Sequence, residues 1–533
     1  MARQSWLTSA VSRGLLHRYR PLNEPGSSRK PFSTFRIAVI VLSLFLVALA
    51  GHSFTRGKGQ GPRPLSATEG QDQEDAGPSD RRLVVIIPVD KPSPKLCKVI
   101  ASAVALGYPS PILVNWGIDF RDVTKWDGGS HLTKISGGMR YLDAVMRDDA
   151  HADEKLGDDD LVLMIDAHDV WFQLPPEVML QRYHEINAEA NAKLRKRWRG
   201  RGPMPRSMKQ TIVASSQKKC WPLPSDGYDL RCDKLPESPL KADLYGPKTD
   251  MDPEFRQNRA RYLNSGSFLG PAGDMRHLFR RVLGKLNDVV GDRSHKWSDQ
   301  GMFAEVFADQ EIWRQWQRDH DTGVGDEAMD LVQHHLEFHL GLDYRQQLVV
   351  PTVFSEIDGE FLHLSNQTAI DEHSARLNIS PVRLTHLPED VATARNPLAD
   401  VVKAPAWKDM PLYADLFTEV VPVAMHHNAH VNDSKARITT WWDRPWYFPY
   451  LRQLLEFHLR LAELAPLASI HRQGANITYW APMSNKDRKK PKILKDSAAE
   501  PLEEIELDAA CRSADENEHW WDEVFRDGKG PLQ

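Results

Sequence analysis

The sequence predicts an α/β fold built on a mainly parallel, doubly wound sheet. An apolar, β-branched run at residues 81–89 (RRLVVIIPV) indicates a buried strand, and apolar residues at helical spacing follow at 93–107 (SPKLCKVIASAVALG). A second apolar run, PILVNWG at 111–117, comes next. Strand, helix and strand in close succession predict a βαβ unit, in which the two strands run parallel.

The same alternation continues further along the chain. Residues 137–150 (GGMRYLDAVMRDDA) have helical spacing, and the buried strand LVLMI at 161–165 follows them. Beyond residue 350 the apolar runs become shorter. Further strands are expected at 211–215 and 261–270, and further helices at 273–287 and 298–309.

Length and composition indicate a globular protein. The chain has 533 residues, too many for one small core, so one large domain or two are expected. Hydrophobic residues make up 41% and charged residues 26%, which are ordinary values for globular proteins. The net charge of −5 argues neither for nor against a nucleic-acid partner, but the basic residues form no extended stripe, so no such partner is expected.

The N-terminal region predicts a membrane anchor. Residues 36–54 contain the uncharged apolar run IAVIVLSLFLVALAG, close to the ~20 residues that cross a bilayer. Residues 1–35 are strongly basic, so by the positive-inside rule they stay in the cytosol and the rest enters the lumen of the endoplasmic reticulum or Golgi. A cleaved signal peptide is the alternative, because small residues end the apolar run.

The remaining chain divides by composition into a stem, a large lumenal domain and a tail. Residues 55–80 are rich in Gly, Pro, Ser, Gln and Asp, which predicts a flexible stem. Residues 81–484 carry the predicted α/β domain, and residues 485–533 look like a mostly polar, exposed tail. This is the layout of a single-pass type II membrane protein. Asn-x-Ser/Thr sequons that fit a lumenal location occur at Asn366, Asn378, Asn432 and Asn476.

The four cysteines allow three pairings. They form no Cys-x-x-Cys pair, so a structural zinc site is not expected. Cys220 and Cys232 are close in sequence and are the favoured disulfide in an oxidising compartment, with free thiols as the alternative. The other two are Cys97 and Cys511.

The strongest functional signal is the end of the strand at 161–165. Asp166 and Asp169 follow it, with His168 between them. In parallel sheets ligands bind beyond the carboxyl ends of the strands, and two carboxylates there suit Mn²⁺ or Mg²⁺. A turn after Ile165 must bring the carboxylates together, because residues i and i+3 of a regular strand point to opposite faces. The alternative is a helix cap with solvated carboxylates.

Several blocks resemble, in order and spacing, the glycosyltransferase domain of the procollagen lysyl hydroxylases. They are KISGGMRYLDAVM, DDDLVLMIDAHDVWFQLPPE, IVASSQKKCWP, RYLNSGSFLG and SDQGMF, and the resemblance covers residues 83–435. The procollagen galactosyltransferases are more distant relatives. The resemblance implies a Rossmann-like GT-A fold, a UDP-sugar donor, Mn²⁺ (or Mg²⁺) as the metal, and hexosyltransferase activity.

The resemblance also assigns roles by position. Asp166 and Asp169 look like metal ligands, and the segment VPVAMHHNAHVNDSK puts His426 on the metal, with His427 and His430 as local alternatives. Asp299 matches a residue near the acceptor, where it would position the acceptor or act as its base. Residues implied to bind the nucleotide-sugar are Val89, Arg140, His168, Trp221, Asn264, Ser265, Gly266 and Asn428.

Two departures from the family keep other functions open. His168 falls where the family usually has Tyr, and Ser298 replaces an acidic neighbour of Asp299. A non-catalytic, lumenal carbohydrate- or protein-binding component on a degenerate transferase fold is therefore the first alternative. A metal-dependent phosphotransferase or hydrolase is the second. The acceptor is expected to be a protein or a glycan, and no hydroxylase activity is expected because the chain lacks a convincing His-x-Asp with distant His and Arg partners.

Two further clusters have both a structural and a functional interpretation. The aromatic run WWDRPWYFPY at 441–450 fits a core patch, which we favour, or a sugar-stacking surface. HHLEFH at 334–339 has metal-ligand spacing but no counterpart in the family, so a structural role is favoured.

Overall fold

The structure is a computed structural model, and it describes most of the chain after residue 78. The predicted cytosolic tail (1–35), the signal anchor (36–54) and all but the last two residues of the predicted stem (55–80) lie outside the described residues. Within the described part, no helix is both long and apolar enough to span a bilayer. The described residues are 79–118, 131–198, 204–290, 297–319, 336–428, 435–461, 465–472, 475–482, 490–494, 502–515 and 518–532.

The strands are short and are spread along the whole described chain. They are β1 (Ser79–Pro88), β2 (Ile112–Val114), β3 (Leu161–Ile165), β4 (Val170–Phe172), β5 (Ile212–Gln217), β6 (Tyr262–Pro271), β7 (Leu340–Asp343), β8 (Val349–Pro351), β9 (Gly359–His363), β10 (Pro411–Asp415), β11 (Ala424–His426), β12 (Ala468–Arg472), β13 (Ala475–Trp480), β14 (Lys492–Ile493) and β15 (Glu503–Glu504).

The helices alternate with the strands in the first half of the domain. The first begins as the sequence predicts, because Ser93 accepts a hydrogen bond from Leu96 N and Pro94 occupies the first helical turn. The helices are α1 (Pro94–Ala105), α2 (Thr133–Val145), α3 (Pro176–Trp198), α4 (Ala272–Val290), α5 (Asp299–Asp319), α6 (Gln367–Arg376), α7 (Glu389–Thr393), α8 (Arg437–Thr440), α9 (Leu451–Arg460), α10 (Leu507–Cys511) and α11 (Trp520–Val524).

The central sheet is mixed but mostly parallel, as the sequence predicts. Its strand order is β15-β14-β2-β1-β3-β6-β5-β7, with β13 and β12 added beside β1. β1 runs parallel to both β2 and β3. β6 departs from the predicted parallel pattern, because it is antiparallel to both of its neighbours. The architecture is compatible with a Rossmann-like fold.

Alternate residues of β1 belong to two different cores, one on each face of the sheet. Val85 packs in the core that contains residues of α1 and α3, whereas Ile86 packs in the core that contains residues of α2, α4 and α5. Both side chains are completely buried, and each such burial stabilises the fold by about 1.5–3 kcal/mol. Helices therefore cover both faces of the sheet, and the edge at the strand ends remains for a ligand.

A second, three-stranded sheet lies at that edge. β11 pairs antiparallel with β4 and parallel with β8, so His426 stands opposite Val170 on one side and Pro351 on the other. β4 begins directly after Asp169. This pairing brings a segment from late in the chain next to the end of β3.

The described parts of segment 485–533 are not the exposed tail that its composition suggests. A disulfide joins Cys511 to Cys97 on α1, and Trp520 and Val524 are buried. In addition, Lys98 on α1 pairs with Glu523 at 2.6 Å. These apolar and paired residues are widely spaced among charged ones. The composition of the segment therefore does not predict that it packs against the domain. The described domain therefore continues to residue 532, beyond the predicted boundary at 484.

The structure also shows the outcome of three further sequence predictions, which concern a disulfide, an aromatic run and a histidine-rich segment. The disulfide between Cys220 and Cys232 is confirmed. The aromatic run at 441–450 is mainly core, because Trp442, Trp446 and Tyr447 are buried. In the described part of HHLEFH, Glu337 pairs with Arg314, and His339 Nδ1 lies 2.9 Å from Asp274 Oδ1. These contacts are structural; His334 and His335 lie outside the described residues.

Candidate metal centre

Asp166 and Asp169 are fixed by backbone hydrogen bonds where β3 gives way to β4. Asp166 N donates to Gly266 O at 3.0 Å, and Asp169 O accepts from His427 N at 2.8 Å. The turn between them removes the opposite-face geometry that a continuous strand would impose. Both carboxylates keep partial access to solvent, with 27% and 23% of the side chain exposed.

His426, the last residue of β11, completes the group. Its Nε2 lies 3.3 Å from Asp166 Oδ2 and 3.5 Å from Asp169 Oδ1, and the three candidate ligand atoms all lie within 4.8 Å of one another. Among the residues that the structure describes, no other group of His, Cys, Asp and Glu meets this criterion. We call these three residues the carboxylate–histidine cluster.

The orientation of the His426 ring follows from its neighbour on β6. The amide nitrogen of Asn264 donates to Gln217 Oε1 at 2.9 Å and to Gln300 Oε1 at 3.2 Å, so its Oδ1 faces His426 Nδ1 at 3.3 Å. An amide oxygen can only accept, so Nδ1 carries the proton. Nε2 is then the nitrogen available to a metal, and such a hydrogen bond to the far nitrogen is typical of metal-binding histidines.

Gly266 lets the imidazole approach β6 closely. A Cβ atom added at this position would lie 2.2 Å from His426 Cε1 and 2.9 Å from Asn264 Oδ1. No side chain can occupy that space without moving the ring. The glycine of the LNSG motif is therefore required by the position of the histidine.

Lys134 is the main site residue that the sequence analysis missed. Its Nζ lies 2.6 Å from Asp166 Oδ1 and 2.6 Å from Asp299 Oδ2, and it donates to Ser265 O at 3.2 Å. The two oxygens of Asp166 are thus divided between Lys134 and the side that faces His426. Lys134 begins the block KISGGMRYLDAVM, but that sequence does not show that its ammonium bridges two aspartates, and only the three-dimensional structure reveals the bridge.

Electrostatic interactions favour the charged forms of His426 and Asp166. Burial opposes protonation of His426, yet Asp169 and Asp166 raise its pKa to about 9. Burial likewise disfavours the charged forms of Asp166 and Lys134. The pKa of Asp166 is nonetheless held well below its usual range by Lys134 and His426, and the carboxylates raise the pKa of Lys134. Without a metal, the two aspartates therefore face a protonated Nε2, and a metal ion would take the place of that proton.

The local alternatives to His426 do not take its place. His427 is buried against the Trp171 ring, with ring centroids 4.2 Å apart, and burial lowers its pKa to about 3. His430 lies outside the described residues. Asn428 donates to His426 O at 2.9 Å and accepts from Val353 N at 3.3 Å, so it fixes the end of β11.

The residues expected to bind the nucleotide lie at the same edge of the sheet. Val89 directly follows β1, and Arg140 donates to the side chain of Asn115, which directly follows β2, at 2.9 Å. Since β1, β2 and β3 run parallel, their carboxyl ends share one edge with Asp166. Burial lowers the pKa of His168, and neither of its ring nitrogens has a hydrogen-bond partner in the described structure.

Trp221 and Asp299 lie on the other side of the cluster. Gln300 donates to Trp221 O at 3.0 Å and also contacts Asn264, which links Trp221 to the His426 side chain. Asp299 is the first residue of α5 and is nearly buried. The structure thus collects every sequence-predicted site residue at the strand ends or on the segments packed against them.

Two carboxylates and one imidazole are ligands suited to a divalent cation such as Mn²⁺ or Mg²⁺. Their partial exposure would leave coordination positions for a second, oxygen-rich molecule. Comparison of the chain with protein-family models finds no match, and a search of curated proteins finds none either. The functional conclusion therefore depends on the chemistry of these residues.

Proposed function

We propose that the chain is a metal-dependent glycosyltransferase of the GT-A type, which moves a hexose from a UDP-sugar to a hydroxyl group of a protein or glycan. The observation that carries this proposal is the carboxylate–histidine cluster at the carboxyl end of β3. Ligands of α/β folds bind at this edge, where the nucleotide-binding candidates also lie.

The cluster fits Mn²⁺ or Mg²⁺ by donor chemistry. Asp166, Asp169 and His426 would hold the ion, and the Nδ1 proton of His426, held by Asn264, keeps Nε2 directed at it. When bound, the ion neutralises the charge that develops on a departing diphosphate. Lys134 adds a positive charge on the opposite side of Asp166 and keeps that carboxylate ionised.

His168 supports a nucleotide next to the cluster. Its two ring nitrogens have no partner among the described residues, although the ring is largely buried. The ring is therefore free to stack on a base or to hydrogen-bond to a ribose. Asp90 and Lys95 are near enough to influence its pKa, which adds polar groups from the end of β1 and the start of α1.

Asp299 is the candidate residue for the acceptor. Its Oδ2 lies 2.6 Å from Lys134 Nζ, which places the side chain beside the cluster. A carboxylate in this position can accept the proton of an acceptor hydroxyl or orient that hydroxyl. Lys134 couples the acceptor side and the metal side of the site, because it contacts a carboxylate on each.

The proposal includes the cellular location. A single-pass type II anchor at residues 36–54 would hold the domain in the lumen of the Golgi or endoplasmic reticulum. The disulfides Cys97–Cys511 and Cys220–Cys232 support this location, since disulfides persist in oxidising compartments.

Calorimetric titration of UDP into the purified full chain, with and without Mn²⁺, tests the proposal. Binding should require the ion and should be lost in Asp169→Asn. Asp159→Asn is the matched control, because Asp159 precedes the same strand at its other end and is 77% exposed. If the unmodified chain binds no UDP with Mn²⁺, the transferase proposal is wrong and the non-catalytic alternative is favoured.

A further inference from the structure

Lys219 is a cation surrounded by aromatic rings. Its Nζ lies 4.6 Å from the ring centroid of Phe255, 5.2 Å from that of Trp221 and 5.6 Å from that of Phe354. We call these four residues the aromatic–lysine cluster. The neighbouring Lys218 is buried and paired with Asp358 at 2.6 Å, whereas the Lys219 ammonium has no hydrogen-bond or carboxylate partner among the described residues.

The aromatic–lysine cluster adjoins the carboxylate–histidine cluster through two separate segments. Trp221 O accepts from Gln300, whose side-chain oxygen also contacts Asn264 beside His426. Phe354 lies just beyond β8, and Thr352 in the same segment donates its backbone N–H to His426 O at 2.9 Å. The aromatic–lysine cluster is therefore carried by segments that are hydrogen-bonded to the surroundings of His426.

Two of the three rings are held by unusual backbone conformations. Phe255 has φ 65° and Phe354 has φ 62°, in the left-handed region that bulky residues rarely adopt. Their rings meet edge to face with centroids 5.5 Å apart. Strained backbone of this kind concentrates at ligand sites, where the surrounding structure maintains it for function.

The chemistry of the cluster suits one class of sugar. Aromatic rings offer flat apolar faces to the C–H face of a pyranose, and the Lys219 ammonium places a positive charge beside three such rings. A carboxylate supplies the missing partner through a charge-assisted hydrogen bond, which is about twice as strong as a neutral one. A neutral hexose would leave the charge of Lys219 without a counter-ion.

We propose that the aromatic–lysine cluster binds a hexuronic acid, with Lys219 paired to the carboxylate and Trp221 stacked on the ring. The inference rests on the proposed transferase function and narrows its substrate to a carboxylate-bearing pyranose. The hexuronate is either the sugar moiety of the UDP-sugar or the residue of the glycan acceptor that lies beside Asp299. The same recognition chemistry serves both sources.

Two binding experiments on the full chain separate the sources. In the acceptor arm, saturation-transfer NMR compares methyl β-D-glucuronide with methyl β-D-glucoside in the absence of nucleotide. In the donor arm, calorimetry with Mn²⁺ compares UDP-glucuronic acid with UDP-glucose. In at least one arm the acidic ligand should bind at least about tenfold more tightly than the neutral one.

Variants identify the residue responsible. Lys219→Gln should abolish the preference for the acidic ligand, and Lys219→Arg should retain most of it. Lys403→Gln, at an exposed lysine of another segment, is the matched control and should change nothing. Equal melting temperatures establish that the variants fold, and the comparison of ligands in the unmodified chain does not depend on any variant.

The outcomes separate this inference from the proposed function. Binding of UDP with Mn²⁺ but no preference for the acidic ligand in either arm overturns the hexuronate inference and leaves the transferase proposal standing. A glucuronide preference that depends on Lys219, without any binding of UDP, supports the hexuronate subsite and overturns the transferase proposal. A preference that survives Lys219→Gln overturns the role of the aromatic–lysine cluster.

Discussion

Gly266→Ala is the most direct test of how the carboxylate–histidine cluster is built. The new methyl group would lie 2.2 Å from His426 Cε1, whereas carbon atoms pack no closer than about 3.5 Å. The imidazole must therefore move by about 1.3 Å or rotate away from β6. Metal sites tolerate deviations of only about 0.2 Å in their ligand distances, so His426 should be lost as a ligand.

The expected magnitude follows from that displacement. Even residues that only orient metal ligands contribute about 10- to 100-fold to affinity, so loss of the imidazole itself should weaken Mn²⁺ binding at least about 100-fold. This corresponds to about 2.7 kcal/mol. Overpacking should also lower the free energy of unfolding by about 1–3 kcal/mol. Calorimetric titration with Mn²⁺ measures the first effect, and chemical denaturation measures the second.

Gly284→Ala provides the matched control. Gly284 lies in α4, and no atom would lie within 4 Å of an added Cβ. Alanine is favoured over glycine in a helix by about 1 kcal/mol, so this variant should be at least as stable as the unmodified chain and should bind Mn²⁺ equally well. If Gly266→Ala folds and retains Mn²⁺ affinity within about threefold, His426 is not a metal ligand held against β6.

Three further predictions concern electrostatics and cross-linking. Lys134→Met leaves the nearly buried Asp299 without its counter-charge and should lower the free energy of unfolding by about 3 kcal/mol. The double variant Lys134→Met/Asp299→Asn should recover part of this loss. If the double variant instead loses the sum of the two single-variant losses, the two residues are not coupled. Burial raises the pKa of Asp343 to about 6, against about 3.9 in the unfolded chain. The stability contributed by its protonated form is therefore complete below pH 4 and is lost as the pH rises through 6. In denaturant titrations, the free energy of unfolding of Asp343→Asn should rise relative to that of the unmodified chain by up to about 3 kcal/mol between pH 4 and pH 7. A difference between the two proteins that does not depend on pH would contradict this. Replacing both cysteines of the Cys97–Cys511 bond by serine opens a loop of 414 residues, whereas the same change at Cys220–Cys232 opens a loop of 12. Loop entropy predicts that the free energy of unfolding falls by about 6 kcal/mol in the first case and by about 3 kcal/mol in the second. Equal losses in denaturant titrations would refute that account.

The sequence revealed those parts of the fold and site that leave a local pattern. The run at 161–165 is apolar at every position and stops at two carboxylates, so β3 and the positions of Asp166 and Asp169 could be predicted without a structure. The placement of His426 required the family resemblance, because 257 residues separate it from Asp169 and several histidines occur nearby. Its pairing in β11 is what brings it to the cluster.

Features that depend on distant pairing were missed. Lys134 is the second residue of α2, and nothing in the local sequence shows that it bridges two aspartates. β6 is antiparallel to β3 and β5, and apolar spacing does not encode the direction of a strand. Segment 485–533 has few apolar residues, yet Trp520 and Cys511 fix it to α1.

The disulfide between Cys97 and Cys511 can form only late in the synthesis of the chain. Ribosomes add about 5–20 residues per second, so about 20–80 s separate the synthesis of the two cysteines, which stand 414 residues apart. Cys220 and Cys232 follow each other within about 1–2 s and can pair early. Once Cys220 and Cys232 have been synthesised, Cys97 still lacks its final partner and could pair with either of them. The nascent chain therefore depends on early closure of the small loop, or on disulfide exchange by an isomerase, to keep Cys97 available until the last helices arrive.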